Sequence, residues 1–261
     1  MGEKIKEPTY LMSKRKRKNI LQGRVQKGFK DHLFSDISNE DRKRAVEEII
    51  ESSSPRKSFF VMIAVAAALS TMGIIDDNAA VIIGGMLVAP MLSPILAIAL
   101  GLEMADFRLL KRSFIVVVWA TIYALGSSLI FALLLDSSRL DWEHLNHEMS
   151  LRVQTDLSTI LIALVAGFGG SLALVRRELA KFMSGVAIAV ALIPPLSMSA
   201  IGISMLSFNI FYHAFSLFVI NLVGIILSSL VVFSLMKLTT AKRQLDEELK
   251  EEEELLGKKY E

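Results

Sequence analysis

Six apolar stretches, at about 59–75, 79–102, 113–135, 157–175, 182–206 and 211–236, leave this 261-residue chain few folds to choose from. Each approaches the roughly 20 residues a helix needs to cross a hydrocarbon core of about 30 Å. In hydrocarbon every backbone N–H and C=O must find an internal partner, so runs of this length become helices. Hydrophobic residues make up 52% of the chain and charged ones 21%, with the charges gathered at the two ends and in short clusters. That distribution excludes a soluble globule and predicts an all-α membrane protein with six transmembrane helices. The first apolar run follows a long basic stretch, so it reads as a span and not as a cleaved signal. Cysteine is absent, which excludes disulfides and thiol chemistry.

Orientation follows from the basic residues beside each span. The loop at Asp76-Asp77-Asn78 carries none, the next has Arg108, Lys111 and Arg112, and the third, 136–156, is acidic with only Arg139 and Arg152. The fourth, Arg176-Arg177-Glu178 to Lys181, is basic; the fifth, Ser207 to Ile210, is uncharged; Lys237, Lys242 and Arg243 follow the last span. The basic loops all fall on one side, which places both termini in the cytoplasm of a cell-membrane protein.

Three regions are expected. Residues 1–57 form a basic cytoplasmic arm with one short helix, capped by Ser38 or Asn39 and ending near Ser52. Its run Lys14 to Lys18 orients the first span or meets anionic headgroups; nucleic acid is not the expected partner. Residues 58–238 form the six-span domain, and 239–261 an acidic cytoplasmic tail. Arm and tail are thin, so the membrane part must hold the function.

Two spans carry helix breakers at their centres. Pro90-Met91-Leu92-Ser93 and Pro194-Pro195-Leu196-Ser197 share the pattern Pro-x-Leu-Ser at an offset of 104 residues. Proline lacks a donor and clashes with the preceding turn. The first lies in span two and the second in span five, the middle helices of two three-span halves, about 58–135 and 157–236. Three is odd, so the halves insert with opposite orientation, an inverted repeat of the kind found in transporters with discontinuous helices. Gly84-Gly85 in one half, and Gly185, Ala187, Ala189 and Ala191 in the other, allow the broken helices to pack closely.

In this reading Ser93 caps a half-helix with Pro94 in its first turn, and Ser197 caps the matching half-helix. Two helix N-termini then face the bilayer midplane, where free amides attract an anion. The same breaks free carbonyls, those opposite Pro90, Pro94, Pro194 and Pro195, that suit a cation. No acidic residue falls inside a span, which favours the anion. Kinks that only shape packing are the structural alternative.

Among other polar residues, Asn221 in span six either bonds between helices or lines the pathway. Asp76, Asp77 and Asn78 form an outer vestibule or cap span two. Gly167, Gly169, Gly170 and Ser171 permit tight packing in span four. His144 and His147, near Asp141, Glu143 and Glu148, read as one face of an interfacial helix with Trp142; no metal or other cofactor is expected. No catalytic motif is present, so no enzyme is expected.

The eighteen residues Asp77-Asn78-Ala79-Ala80-Val81-Ile82-Ile83-Gly84-Gly85-Met86-Leu87-Val88-Ala89-Pro90-Met91-Leu92-Ser93-Pro94 resemble the hallmark of a multi-pass prokaryotic membrane family catalogued as domain of unknown function 389. Gly185 through Ser197 resembles its second hallmark, and the likeness covers about 55–236. The resemblance implies a prokaryotic cell-membrane protein and brings no substrate or catalytic residue. From the residues, the expectation is a channel or secondary transporter for a small solute or ion, anionic, bound near the midplane between broken helices two and five. The alternative is a membrane scaffold or sensor acting through its charged ends. Partners are the bilayer, the solute and further copies of the chain in a homo-oligomer.

Overall fold

The apolar stretches fold as helices, two of them interrupted, after Val88 and after Ala189. A computed structural model describes residues 37–52, 56–135, 146–154, 156–189 and 191–238, the side chains of Arg177 and Ala187 excepted. The basic run Lys14 to Lys18, the segment with Asp141, Trp142, Glu143 and His144, and the acidic tail lie outside those residues. The chain divides into two compact units, Met1–Ser38 and Asn39–Glu261. The helices of the second unit are α1 (Asn39–Ser52), α2 (Lys57–Ile75), α3 (Ala79–Val88), α4 (Leu92–Glu103), α5 (Phe107–Leu134), α6 (His147–Ser150), α7 (Leu157–Val175), α8 (Met183–Ala189), α9 (Ile193–Ser204) and α10 (Phe208–Leu235). A 3₁₀ segment, Arg177–Phe182, joins α7 to α8.

Four helices, α2, α5, α7 and α10, are each long and apolar enough to cross a bilayer. With 28 residues each, α5 and α10 run about 42 Å. The pair α3 and α4 qualifies as one span bent by 52°. The α9 helix is apolar but, at 12 residues, too short alone. Across the described residues this is an all-helical membrane protein.

Both long helices begin earlier than the hydropathy predicts, so Arg108, Lys111 and Arg112 stand in the first turns of α5 and not in a loop. The cause is capping. The Asp106 carboxylate accepts from the amides of Arg108 and Leu109, both at 3.0 Å, and Ser207 accepts from Ile210 at 3.5 Å. Such caps satisfy amides that the helix leaves open and extend it past its apolar part.

One corner recurs three times. Each has a glycine in the last turn of a helix, a left-handed residue four positions on, and a capping Asn, Asp or Ser fifth. Asp77, Ala105 and Leu206 have φ of 54°, 50° and 53°. The amides of Asn78, Asp106 and Ser207 return to the carbonyls of Gly73, Gly101 and Gly202 at 2.8, 2.9 and 2.9 Å, the six-to-one bond of a Schellman turn. A Cβ on Gly101 would meet the Leu110 amide at 2.9 Å, and one on Gly202 that of Phe211 at 2.7 Å. Only glycine lets the next helix cross so closely.

Two helix pairs match in length and spacing: α4 and α9 have 12 residues each, α5 and α10 have 28 each, and both pairs start 101 residues apart. Along α4 the residues from Pro94 to Gly101 are buried, as are all those from Ile193 to Gly202 along α9; helices apolar on every side belong at the centre. Around them α2 packs on α5, and α7 packs on α10. At the second contact Gly167 is essential, because a Cβ there would meet Ser228 Oγ and the Ile225 Cα at 2.7 Å. Hydroxyls join the same pairs. Ser128 of α5 lies 3.0 Å from Ser197 and 3.4 Å from the Ala67 carbonyl, and Ser171 of α7 lies 2.7 Å from Ser229 of α10.

Candidate functional site

A discontinuity between α8 and α9 opens into a cavity of about 200 Å³. Its floor is the break, with Ala189, Ala191, Pro194 and Pro195; Met86 of α3, Thr159 and Ile162 of α7, and Leu217 and Asn221 of α10 form the walls; Leu151 and Arg152 close it from the segment before α7. At about 30 Å³ per water, it holds roughly seven.

Ala191 has φ of 35°, a left-handed conformation that costs a residue other than glycine about 1–3 kcal/mol. Asn221, 6% exposed, donates from Nδ2 to the Ala191 carbonyl at 3.2 Å. That carbonyl is one that Pro195 leaves without a helical partner. Asn221 therefore bonds between helices, one of the two roles that its sequence position leaves open, and it also lines this cavity. A carbonyl acceptor demands the NH₂ end of the amide, so Oδ1 is the end left over; no described residue donates to it.

Arg152 is the charged residue of the lining. Its Nη1 bonds the Glu148 carboxylate at 2.6 Å and also reaches the Glu148 carbonyl. The two side chains are only 13% and 11% exposed. Glu148 does not itself line the cavity, so the pair turns its positive member inward.

The segment that carries the pair is fastened to the corner between α2 and α3. Asn146 Nδ2 donates to the Ile74 carbonyl at 2.7 Å, and the Glu148 amide donates to the Asp77 carboxylate at 2.9 Å. Asn78 caps α3, accepting from Ala80 at 3.1 Å and Val81 at 3.4 Å. Thus Asp77 fastens the segment and Asn78 caps α3, while the Asp76 amide closes the α2 C-terminus on Met72 at 2.9 Å. Asp156 caps α7 through the Thr159 amide at 2.9 Å; that bond, with the Thr159 hydroxyl, holds its carboxyl below the usual 3.8.

Several expectations need correction. Ser93 is not a cap: α4 starts at Leu92 with Met91 as its N-cap, and Ser93 is the second helical residue. Ser197 is not a cap either. It is fully buried inside α9, bonded to Ser128 and to the Ala67 carbonyl at 3.3 Å. The second break comes before Pro194 and Pro195, which occupy the second and third positions of α9, where a missing donor costs nothing. Their presence strips that N-terminus of two amides, so it is a weaker anion site than the sequence predicts. Of the small residues, Gly85 is needed, since a Cβ would meet Ser70 Oγ and the Ala66 carbonyl at 2.8 Å, but Gly84 and Gly185 face open space. Gly170 packs on Val186 and Leu92, and Gly169 has more room. The first break is closed: Met91, Leu92 and Pro94 are buried, Pro90 and Ser93 half-buried, and none of them lines the cavity. Among the described residues no His, Asp and Glu cluster could hold a metal.

A larger groove of about 720 Å³ runs between α2 and α5, from Lys57 past Phe60 and Tyr123 to Met72 and Phe131. It is almost wholly apolar and lies away from both breaks, so it supplies no chemistry.

A family model described as "Domain of unknown function (DUF389)" matches residues 86–227, from just before the first break to the middle of α10. An uncharacterized protein of Methanocaldococcus jannaschii is 30% identical over 210 residues, 77% of this chain and 64% of that protein. The chain thus spans just under two thirds of that relative's length. No solved structure matches.

Proposed function

The chain belongs to the DUF389 family, and on that footing we propose that it is a channel or secondary transporter of the cell membrane that moves a small anionic solute. The carrying observation is the cavity at the α8–α9 break, walled by Arg152 and Asn221. Irregular backbone at membrane depth is tolerated where it lines a cavity, and transporters place binding sites there. The positive charge comes from Arg152, with the α9 dipole adding to it.

Six crossings and inverted halves belong to this reading. Met183 to Ser204 spans 22 residues with its break, enough for one broken crossing. Ile74, Ile82, Ala132, Met198, Ile201 and Ile210 share one buried cluster, which groups the C-terminal ends of α2, α5 and α9 with the N-terminal ends of α3 and α10. The α1 helix packs on α4 and α7, and Arg44 donates to the Leu174 carbonyl at the C-terminal end of α7 at 3.4 Å. With Arg108, Lys111 and Arg112 at the start of α5, the positive-inside rule assigns α1 and both termini to the cytoplasm.

Flux into proteoliposomes of the full chain tests the proposal, with chloride, nitrate, phosphate, a small carboxylate, Na⁺ and K⁺ offered in turn. Saturable anion uptake is expected, and Ala189→Trp, which fills the cavity, abolishes it. Absence of flux for every species refutes transport; flux untouched by Ala189→Trp refutes the pathway.

A further inference from the structure

We infer that Arg152 is the primary ligand of the transported anion, that Glu148 is its resting counter-ion, and that the solute is a small organic monocarboxylate bearing a hydrogen-bond donor. The inference rests on the transport reading and deepens it. Four observations carry it. The guanidinium is spent on one side only: its hydrogen bonds to described residues all run through Nη1, to Glu148. Arginine carries five N–H donors in a planar fork, so Nη2 and Nε remain for a bidentate carboxylate.

Second, Glu148 sits behind Arg152, outside the lining, held there by its own amide on Asp77. Arg152 thus keeps a counter-charge on its far side, and its buried charge stays compensated when no solute is bound. Third, beside the Thr159 hydroxyl, which spends its proton on Asp156, the lining offers an amide acceptor, Asn221 Oδ1, which a bare halide cannot use and a hydroxyl or ammonium can. An unmatched acceptor in a walled site is costly, so it selects for a donor-bearing solute. Fourth, size: about 200 Å³ lies below the roughly 300 Å³ where drug-sized ligands begin, yet it is several times the volume of one water. Met86, Ile162 and Leu217 supply an apolar wall for a short carbon skeleton.

The probes are lactate, acetate and chloride, titrated calorimetrically into the full chain in lipid nanodiscs, with proteoliposome flux measured alongside. Lactate binds saturably, acetate about tenfold more weakly because it lacks the hydroxyl, and chloride more weakly still. Asn221→Leu erases the difference between lactate and acetate. Glu148→Gln frees the guanidinium and tightens lactate several-fold. Arg152→Gln leaves Glu148 buried without its partner and can fail to fold, so the double variant Arg152→Gln with Glu148→Gln, neutral at both positions, carries the test. It keeps a folded protein and loses lactate affinity by roughly ten- to hundredfold, the worth of a charge-assisted hydrogen bond. Unchanged lactate binding in the double variant, or chloride binding as tightly as lactate, overturns the inference. Lactate binding that obeys all three variants without any flux would leave the site standing and refute transport. Anion flux indifferent to the double variant would do the reverse.

Discussion

Asn221→Leu removes one hydrogen bond from one strained residue and keeps the number and branching of side-chain heavy atoms. Wild-type Asn221 spends its NH₂ on the Ala191 carbonyl at 3.2 Å. Leucine leaves that carbonyl without a protein partner, a penalty of about 1–3 kcal/mol when water cannot reach it. Ala191 is only half-buried and borders the cavity, so water partly replaces the amide and the loss falls near 1 kcal/mol. Burying leucine in place of an amide recovers part of that, of similar size. Global stability therefore changes by less than about 1 kcal/mol, while the break itself loosens: with its φ of 35° no longer held, Ala191 relaxes toward an ordinary conformation. The assay is hydrogen exchange on peptides covering 188–196 in nanodiscs, compared with peptides from α5. Exchange at the break should accelerate roughly fivefold, following 1 kcal/mol of local opening, with α5 unchanged. Ala191→Gly in the same background, which adopts φ above zero without strain, should slow exchange again. Equal exchange at the break in wild type and Asn221→Leu would refute the view that this bond holds the discontinuity.

Phe107 and Phe208 occupy the same position in the two halves and are 81% and 76% exposed. In this cysteine-free chain, a membrane-impermeant maleimide applied to intact cells should label Phe208→Cys and spare Phe107→Cys; labelling of both from one side refutes the inverted arrangement. Gly167→Ala brings a Cβ within 2.7 Å of the Ile225 Cα, a backbone atom that cannot rotate away. Overpacking of about 1–3 kcal/mol should outweigh the gain of about 1 kcal/mol from alanine's helix propensity, seen as a lower unfolding midpoint in mixed micelles, whereas Gly84→Ala should be neutral or stabilising. Asp156, its pKa lowered by Thr159, contributes to α7 above the ordinary carboxylate pKa and loses that contribution as pH falls through its own lower value. An NMR titration of the Thr159 amide should show a midpoint below 3.8, and Asp156→Asn should abolish it.

The helices are legible in the sequence because hydrocarbon-length apolar runs permit little else, and the arm helix because Asn39 and two acidic residues mark its start. The helix starts are not, since α5 and α10 are lengthened by Asp106 and Ser207, polar residues that a hydropathy boundary cuts off. A legible signal for these corners does exist: a glycine followed five residues later by Asn, Asp or Ser, at Gly73 and Asn78, Gly101 and Asp106, Gly202 and Ser207. Asn221 stands out as a lone amide in an apolar run. Arg152 does not, because a basic residue in a non-basic loop looks like solvated surface until packing brings Glu148 and the α8–α9 break beside it.

The repeated Pro-x-Leu-Ser pattern falls at two discontinuities but in the wrong register. Aligning it by letters gives 104 residues; aligning the helices gives 101, about one helical turn less. In the structural register Pro94 matches Pro195, Ser128 matches Ser229, and Pro90 matches Ala191. Ser93 and Ser197 are therefore not equivalent, and a site built from both could not form at matching points. The register also shows where the halves diverge: Asn221 corresponds to Ala120, which has no side-chain donor to offer. A carbonyl freed at the first break has no such amide to meet, and that break is packed shut by Met91 and Leu92, whereas the second is bonded by Asn221, which also lines the cavity. On the proposed transport reading, the binding site belongs to the break that departs from this matched spacing, and the departure is Asn221.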